Sequence, residues 1–343
     1  MRAGAFSLAL GVHCAGRAAP GFPIADAHSH IGLITPAMVE RPLKMQMEDA
    51  GVMLLSWNLV GDGRWIQRTN GGIKQTSTPA PGQQAAYFRE GLARMRRYLA
   101  TTGLDFVRSP ADIDAAKAGK PQVVIAVEGA GFAADDMKLL DEAYAQGLRH
   151  VQLVHYIRNA LGDFQTERPE HDGMTALGID VVKSCNRLGI LVDLAHATNP
   201  VIDKALEVSA APVIWSHSAI ARWQYGWQQS AALSRLLSLV YAKKIAERGG
   251  AIGLWSLSNT VGYGPSGYAS ELMRMVDLVG PRHVMFGTDL DGVGNSGALN
   301  GLADLRKVVD LLRERGVDDE TLRAICFENY ARCLKAAMDA RTA

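Results

Sequence analysis

Short apolar runs and longer stretches of helical period alternate along this chain about eight times. The apolar runs predict strands over 23–27, 51–59, 123–127, 151–154, 190–194, 212–215, 251–255 and 284–287. Between and after them, apolar positions three and four residues apart predict helices over 45–49, 135–146, 175–187, 200–207, 236–248, 268–279, 302–315 and 319–338, with another carrying Tyr87, Leu92, Met95 and Leu99. Gly147 and Gly189 sit where two of these helices must stop. Polar stretches over 61–81 and 159–172, and a Trp- and Gln-containing connection over 220–234, read as loops.

Strands that alternate with helices pair in parallel, and eight such units close into a (β/α)8 TIM barrel of the α/β class. An open doubly wound sheet is the alternative, but no Gly-x-Gly-x-x-Gly follows the first strand and there is no P-loop. A chain of 343 residues suits one barrel with insertions. The expected organisation is an N-terminal tail or weak signal segment over 1–20 and a single barrel hydrolase domain over 21–343.

Composition narrows the partners. Thirty-six lysines and arginines balance 35 acidic residues, and no basic block is present that could neutralise a phosphate backbone, so nucleic acid is not an expected partner. Arg94-Met95-Arg96-Arg97 reads as a solvated helix face. The four cysteines, Cys14, Cys185, Cys326 and Cys333, lack Cys-x-x-Cys spacing, so any metal would be held by nitrogen and oxygen. No apolar run reaches the roughly 18–20 residues of a membrane span. Met1-Arg2, an apolar stretch to Val12 and small residues before Pro20 have the order of a secretory signal, but the apolar part is short and the cleavage site indistinct. Exported and intracellular locations both stay open.

The loops that follow barrel strands share one face, and active sites lie there. Asp26-Ala27-His28-Ser29-His30 places two imidazoles two residues apart on an extended segment, hence on one side of it. Glu128, His155, His196, His217 and Asp289 each stand at or after the end of another apolar run. Five of the nine histidines thus fall at strand ends; His13, His150, His171 and His283 do not and read as structural or exposed. Any one histidine at such a rim is explained by ordinary hydrogen bonding, whereas the set points to a metal centre. Imidazole and carboxylate without thiolate suit catalytic zinc, where water keeps one position. Four histidines and a glutamate exceed one four-coordinate ion and suit two, bridged by Glu128 and a hydroxide.

The chain resembles the amidohydrolase superfamily and, within it, the renal or membrane dipeptidase family of zinc peptidases, family M19, from about Pro23 to Leu334. The resemblance rests on Val127-Glu128-Gly129, on Gln152-Leu153-Val154-His155 with Asn159 and Asp163, and on Gly189-Ile190-Leu191-Val192-Asp193-Leu194-Ala195-His196. Pro212-Val213-Ile214-Trp215-Ser216-His217-Ser218, Gly287-Thr288-Asp289-Leu290-Asp291-Gly292-Val293 and Glu328-Asn329-Tyr330 complete it. It implies two Zn2+, one held by His28, His30 and Glu128, the other by Glu128, His196 and His217. It further implies a metal-bridging hydroxide as nucleophile, with His155 stabilising the oxyanion and Asp289 passing a proton to the leaving amine. The implied reaction is cleavage of the amide bond of a dipeptide or N-acyl amino acid, including one with a D-configured leaving residue, and the implied assembly is a homodimer.

Two departures from the family pattern stand out. Where the family shows His-x-Asp, this chain has His28-Ser29-His30, which raises the charge of the first site by one unit and leaves an enzyme with one metal, held by His196 and His217, as an alternative. The family's carboxylate-clamping arginine, about eleven residues past the strand-six histidine, falls here on Gln228, within Trp223-Gln224-Tyr225-Gly226-Trp227-Gln228-Gln229. Glutamine cannot make the bidentate ion pair, and Arg222 is the nearby substitute. His155, Arg222 and Gln228 are therefore the expected substrate contacts. A hydrolase of lactones, cyclic amides or esters, and a non-catalytic barrel binding protein, are the competing readings; Asp289 and His155 argue against the second, since a pure binder needs no proton shuttle.

Overall fold

The computed structural model describes residues 21–70, 72–222 and 234–342. The expected tail, 1–20, and the segment with Gln228 lie outside the described residues. Eight parallel strands form a closed barrel: β1 (Ile24–Ser29), β2 (Val52–Val60), β3 (Gln122–Glu128), β4 (Leu148–Gln152), β5 (Leu191–Asp193), β6 (Ile214–Ser218), β7 (Ala251–Leu254) and β8 (Val284–Phe286). Each pairs with its sequence neighbours, β1 pairs with β8, and β2 and β3 run in step from Leu54↔Gln122 to Val60↔Glu128. The barrel strands are buried on both faces apart from Val60, which is why they read as unbroken apolar runs.

The outer layer consists of α1 (Leu43–Ala50), α2 (Gln83–Thr102), α3 (Pro110–Lys117), α4 (Lys138–Ala145), α5 (Ala176–Leu188), α6 (Asn199–Val208), α7 (Leu239–Glu247), α8 (Gly264–Val279), α9 (Ala303–Glu314), α10 (Asp319–Arg323) and α11 (Asn329–Asp339). None of the described helices is long and apolar enough to cross a membrane. The structure departs from expectation in several places, among them a short strand, Asp105–Phe106, added in parallel to β3. The stretch 61–81 is not wholly a loop, because Ile66–Thr69 and Gly72–Gln75 form an antiparallel hairpin. Helix α3, started by a Ser109/Asp112 capping box with Pro110 in its first turn, fills a region in which no element is predicted. The helix predicted over 135–146 is broken by extended backbone at Asp136, and the long C-terminal helix contains a π-helical stretch, Ala324–Glu328.

The barrel interior carries a small polar network beneath the mouth. His150 sets Nε2 3.2 Å from Asp193 Oδ2 and Nδ1 3.0 Å from the Ser56 hydroxyl, all three fully buried. Asp193 Oδ1 in turn accepts the backbone N–H groups of Ala195 and Ser216. These bonds fix the chain just before His196 and just before His217.

Candidate active site

Seven strand-end side chains converge at the mouth, with Glu128 in the middle. Its Oε1 lies 3.6 Å from His28 Nε2, 3.1 Å from His196 Nε2 and 3.5 Å from His217 Nε2. Its Oε2 lies 3.1 Å from His30 Nε2 and 3.3 Å from His155 Nε2. The imidazoles meet in pairs: His28 and His30 present Nε2 atoms 3.1 Å apart, His196 and His217 3.2 Å apart. Asp289 Oδ1 stands 3.4 Å from His30 Nε2.

The opposite edges of the rings are held by the scaffold. His30 Nδ1–H donates to the Asn58 carbonyl at the end of β2, 2.6 Å away, which turns Nε2 towards Glu128 and Asp289. One Ser216 hydroxyl lies 3.1 Å from His28 Nδ1 and 2.9 Å from His217 Nδ1 and so ties β1 to β6. Strands β6, β7 and β8 approach so closely that a Cβ at Gly253 or Gly287 would fall 1.7 Å from the Ser216 carbonyl oxygen. His196 and Asp289 have φ of 71° and 55°, a left-handed backbone that non-glycine residues adopt at a cost. Asp289 is kept there by its own N–H, which donates to the His28 carbonyl, and by Thr288, whose N–H and hydroxyl both donate to buried Asp26.

The electrostatics divide the histidines. Burial, reinforced by the neighbouring His217, pushes His28 well below the usual imidazole range; burial and Arg235 do the same to His196, and burial takes His217 down to about 4. These three rings are neutral donors at pH 7. Burial also acts on His30, but hydrogen bonds to Asp289 and Glu128 outweigh it and hold a proton there. Burial would likewise raise the Glu128 carboxyl, yet the facing His155 and His28 hold it well below the ordinary range. A cation is thus favoured beside these two carboxylates.

The donor set fits zinc. Two nitrogens about 2.0–2.1 Å from one tetrahedral ion stand about 3.3 Å apart, close to the spacing within each of the two imidazole pairs. Three-residue groupings with donor atoms within 4.8 Å of one another are His28/Glu128/His217, His28/His30/Asp289 and Glu128/His155/His196.

Two further residues belong to the site and are missing from the sequence-based expectation. Asp62, just past β2, accepts from His155 Nδ1 at 2.6 Å and from the Tyr156 N–H at 3.0 Å. Burial lowers the His155 pKa, but Asp62 and Glu128 together lift it above the ordinary value. Arg235 is buried, with Nη1 3.0 Å from the Tyr156 hydroxyl, Nη2 3.3 Å from His217 Nε2 and its guanidinium 5.4 Å from the Trp255 ring centre. The expected contact Arg222 is elsewhere: its side chain is 57% exposed and pairs with buried Glu271 on α8. Gln228 lies outside the described residues. Of the remaining histidines in the described residues, His150 is buried below the site, His171 is exposed and His283 contacts the Gly250 carbonyl.

A cavity of about 1110 Å³ opens over this cluster, reached by His30, Glu128, His155, His196, Arg235 and Asp289 at one end and by α2 and the hairpin at the other.

Among known proteins, dipeptidase verJ of Clonostachys rogersoniana is 29% identical over 225 residues, covering 64% of this chain and 56% of that protein. Dipeptidase tcpJ of Claviceps purpurea is 27% identical, covering 65% and 52%. The chain thus matches about half the length of these curated relatives. An amidohydrolase from Pseudomonas aeruginosa superposes with a TM-score of 0.73 at 19% identity over 93% of this chain and 97% of its own. A metallopeptidase from Rhodobacter sphaeroides, solved with a phosphinate mimic of the dipeptide L-Ala-D-Ala, superposes at 0.74 with 21% identity, covering 92% and 99%. Both share the barrel. The membrane dipeptidase family, peptidase family M19, matches residues 75–343, which include every strand-end donor described above except His28 and His30. The chain belongs to this family of metallopeptidases.

Proposed function

We propose that residues 21–343 act as one barrel domain that hydrolyses the amide bond of a dipeptide or N-acyl amino acid, using two zinc ions. His28, His30 and Glu128 would hold one ion, and Glu128, His196 and His217 the other. When bound, the pair polarises the scissile carbonyl and brings the pKa of water towards about 7. The observation that carries this reading is a single carboxylate, Glu128, with four imidazole Nε2 atoms at 3.1–3.6 Å, disposed as two close pairs.

The chain's own residues complete the reaction. His155, with Nδ1 committed to Asp62, keeps Nε2–H as a cationic donor aimed beside Glu128, where an oxyanion would form. Asp289 takes a proton from the attacking water and delivers it to the leaving nitrogen as the C–N bond breaks and the C–O bond forms. Arg235, already held by Tyr156, would pair with the substrate's terminal carboxylate, the role for which Arg222 was the substitute expected from the sequence.

Elemental analysis of the purified protein together with hydrolysis of L-Xaa-L-Xaa, L-Xaa-D-Xaa and N-acyl amino acids tests the proposal. Two equivalents of zinc are expected, with turnover abolished by chelation and restored by zinc. A protein that retains at most one equivalent while fully active, or that opens lactones but no amide, overturns it.

A further inference from the structure

Resting on the two-zinc reading above, we infer that the two metal positions differ in affinity: the ion between His28 and His30 is held tightly, and the ion between His196 and His217 at least about tenfold more weakly. Ligand count does not separate them, since each position has two imidazoles and a share of Glu128. What lies behind and beside those ligands does.

Both rings of the first position are backed by the scaffold. His30 Nδ1 is committed to the Asn58 carbonyl at 2.6 Å, and His28 Nδ1 lies 3.1 Å from the Ser216 hydroxyl. At the second position His217 Nδ1 has that same hydroxyl at 2.9 Å, but His196 Nδ1 is buried with no hydrogen-bond partner among the described residues. A neutral ring that meets a metal through Nε2 carries its proton on Nδ1. Zinc at the second position therefore leaves a buried N–H unsatisfied, which costs free energy that the first position does not lose. Outer partners of this kind are worth about 10- to 100-fold in metal affinity.

Fixed charges act in the same direction. Asp289 Oδ1 lies 3.4 Å from His30 Nε2 and 4.0 Å from His28 Nε2, so a second carboxylate faces the first position. Facing the second position is a cation: Arg235 Nη2 stands 3.3 Å from His217 Nε2, the nitrogen that would meet the ion. An arriving ion displaces that N–H from the ring and still lies beside a guanidinium that keeps its charge at every working pH. The guanidinium does not simply swing away, because Arg235 is buried, with Nη1 bonded to the Tyr156 hydroxyl at 3.0 Å and Nε to Gln165 Oε1 at 3.2 Å.

The test is a zinc titration of metal-free protein against a chromophoric chelator of known affinity, with bound metal counted by elemental analysis. Two binding steps separated by at least about tenfold are expected. His196→Ala should delete the weak step and keep the tight one, whereas His30→Ala should delete the tight one. Arg235→Gln leaves every proposed ligand in place and should tighten the weak step at least about tenfold without moving the tight one; this variant decides the matter if either histidine variant fails to fold. Steps less than about tenfold apart, a tight step lost in His196→Ala, or a weak step unmoved in Arg235→Gln overturns the inference. Turnover of alanyl-alanine, measured on the same samples, keeps the two ideas apart. Two equal steps with full turnover overturn the inference and leave the hydrolase reading intact, while two unequal steps without turnover of any amide support the inference and overturn that reading.

Discussion

The floor of the barrel mouth and its β2-side rim are built on different terms. On the floor, His28, His30, Glu128, His196 and His217 are at most 2% exposed, and most are gripped by backbone or by buried hydroxyls. On the rim, Arg68, Thr69 and Asn70 of the hairpin are exposed, Ile34 is 51% exposed, and the hairpin is attached by single contacts such as Lys74–Glu167 and Arg68 to the Gly292 carbonyl. Strand ends hold the donor cluster, while loops and one helix line the cavity above it. Chemistry and specificity are thereby separable by mutation.

The largest effect should come from the centre of the floor. Glu128→Gln removes the shared carboxylate, and zinc content should fall at both positions with turnover down on the order of 1,000-fold or more; full metal occupancy would remove Glu128 from a bridging role. Asp289→Asn should retain both metals yet lose about 100- to 10,000-fold in kcat, and an unchanged rate would exclude it as the proton carrier. Arg235→Gln deletes a charge-assisted contact, with an expected loss of about 10- to 100-fold in kcat/KM, mostly through KM, for substrates with a free carboxylate. Amidated analogues should not feel that change.

Asp62→Asn is subtler. Since Asp62 helps to raise the His155 pKa in the folded protein, the neutral side chain should let His155 lose its proton at lower pH. The alkaline limb of the kcat profile should therefore move to lower pH, and an unmoved limb would detach Asp62 from the oxyanion donor. At the rim, Lys74→Ala breaks an exposed ion pair with Glu167, and its effect on stability should stay within about 1 kcal/mol in thermal melts.

The sequence carries this comparison unevenly, for physical reasons. Parallel strands buried on both faces leave continuous apolar runs, so the eight-fold alternation and the donors at its ends can be read directly. The hairpin shows no such pattern, because Ile66–Thr69 and Gly72–Gln75 bury neither face. Helix α3 buries only Ile113 and Ala116, too little for a visible stripe. Asp62 lies two residues past the end of β2 in what reads as loop, although a carboxylate just after an apolar run is the same signal that marks Glu128. Arg235 has no local signal at all. It returns to the mouth because the chain pairs again beside β6, at Ile220↔Leu237, and periodicity does not encode where a long connection closes.

The left-handed backbone at His196 has a consequence for how long the protein lasts when heated. Glycine tolerates φ of 71° without the penalty of about 1–3 kcal/mol that a side chain incurs there. His196→Gly relieves that strain but also empties a buried site packed by His155, Tyr156 and His217. That loss costs on the order of 2 kcal/mol or more, so in metal-free protein the variant should not melt above its parent. The packing around the ring is what keeps the chain in a conformation that it would otherwise leave.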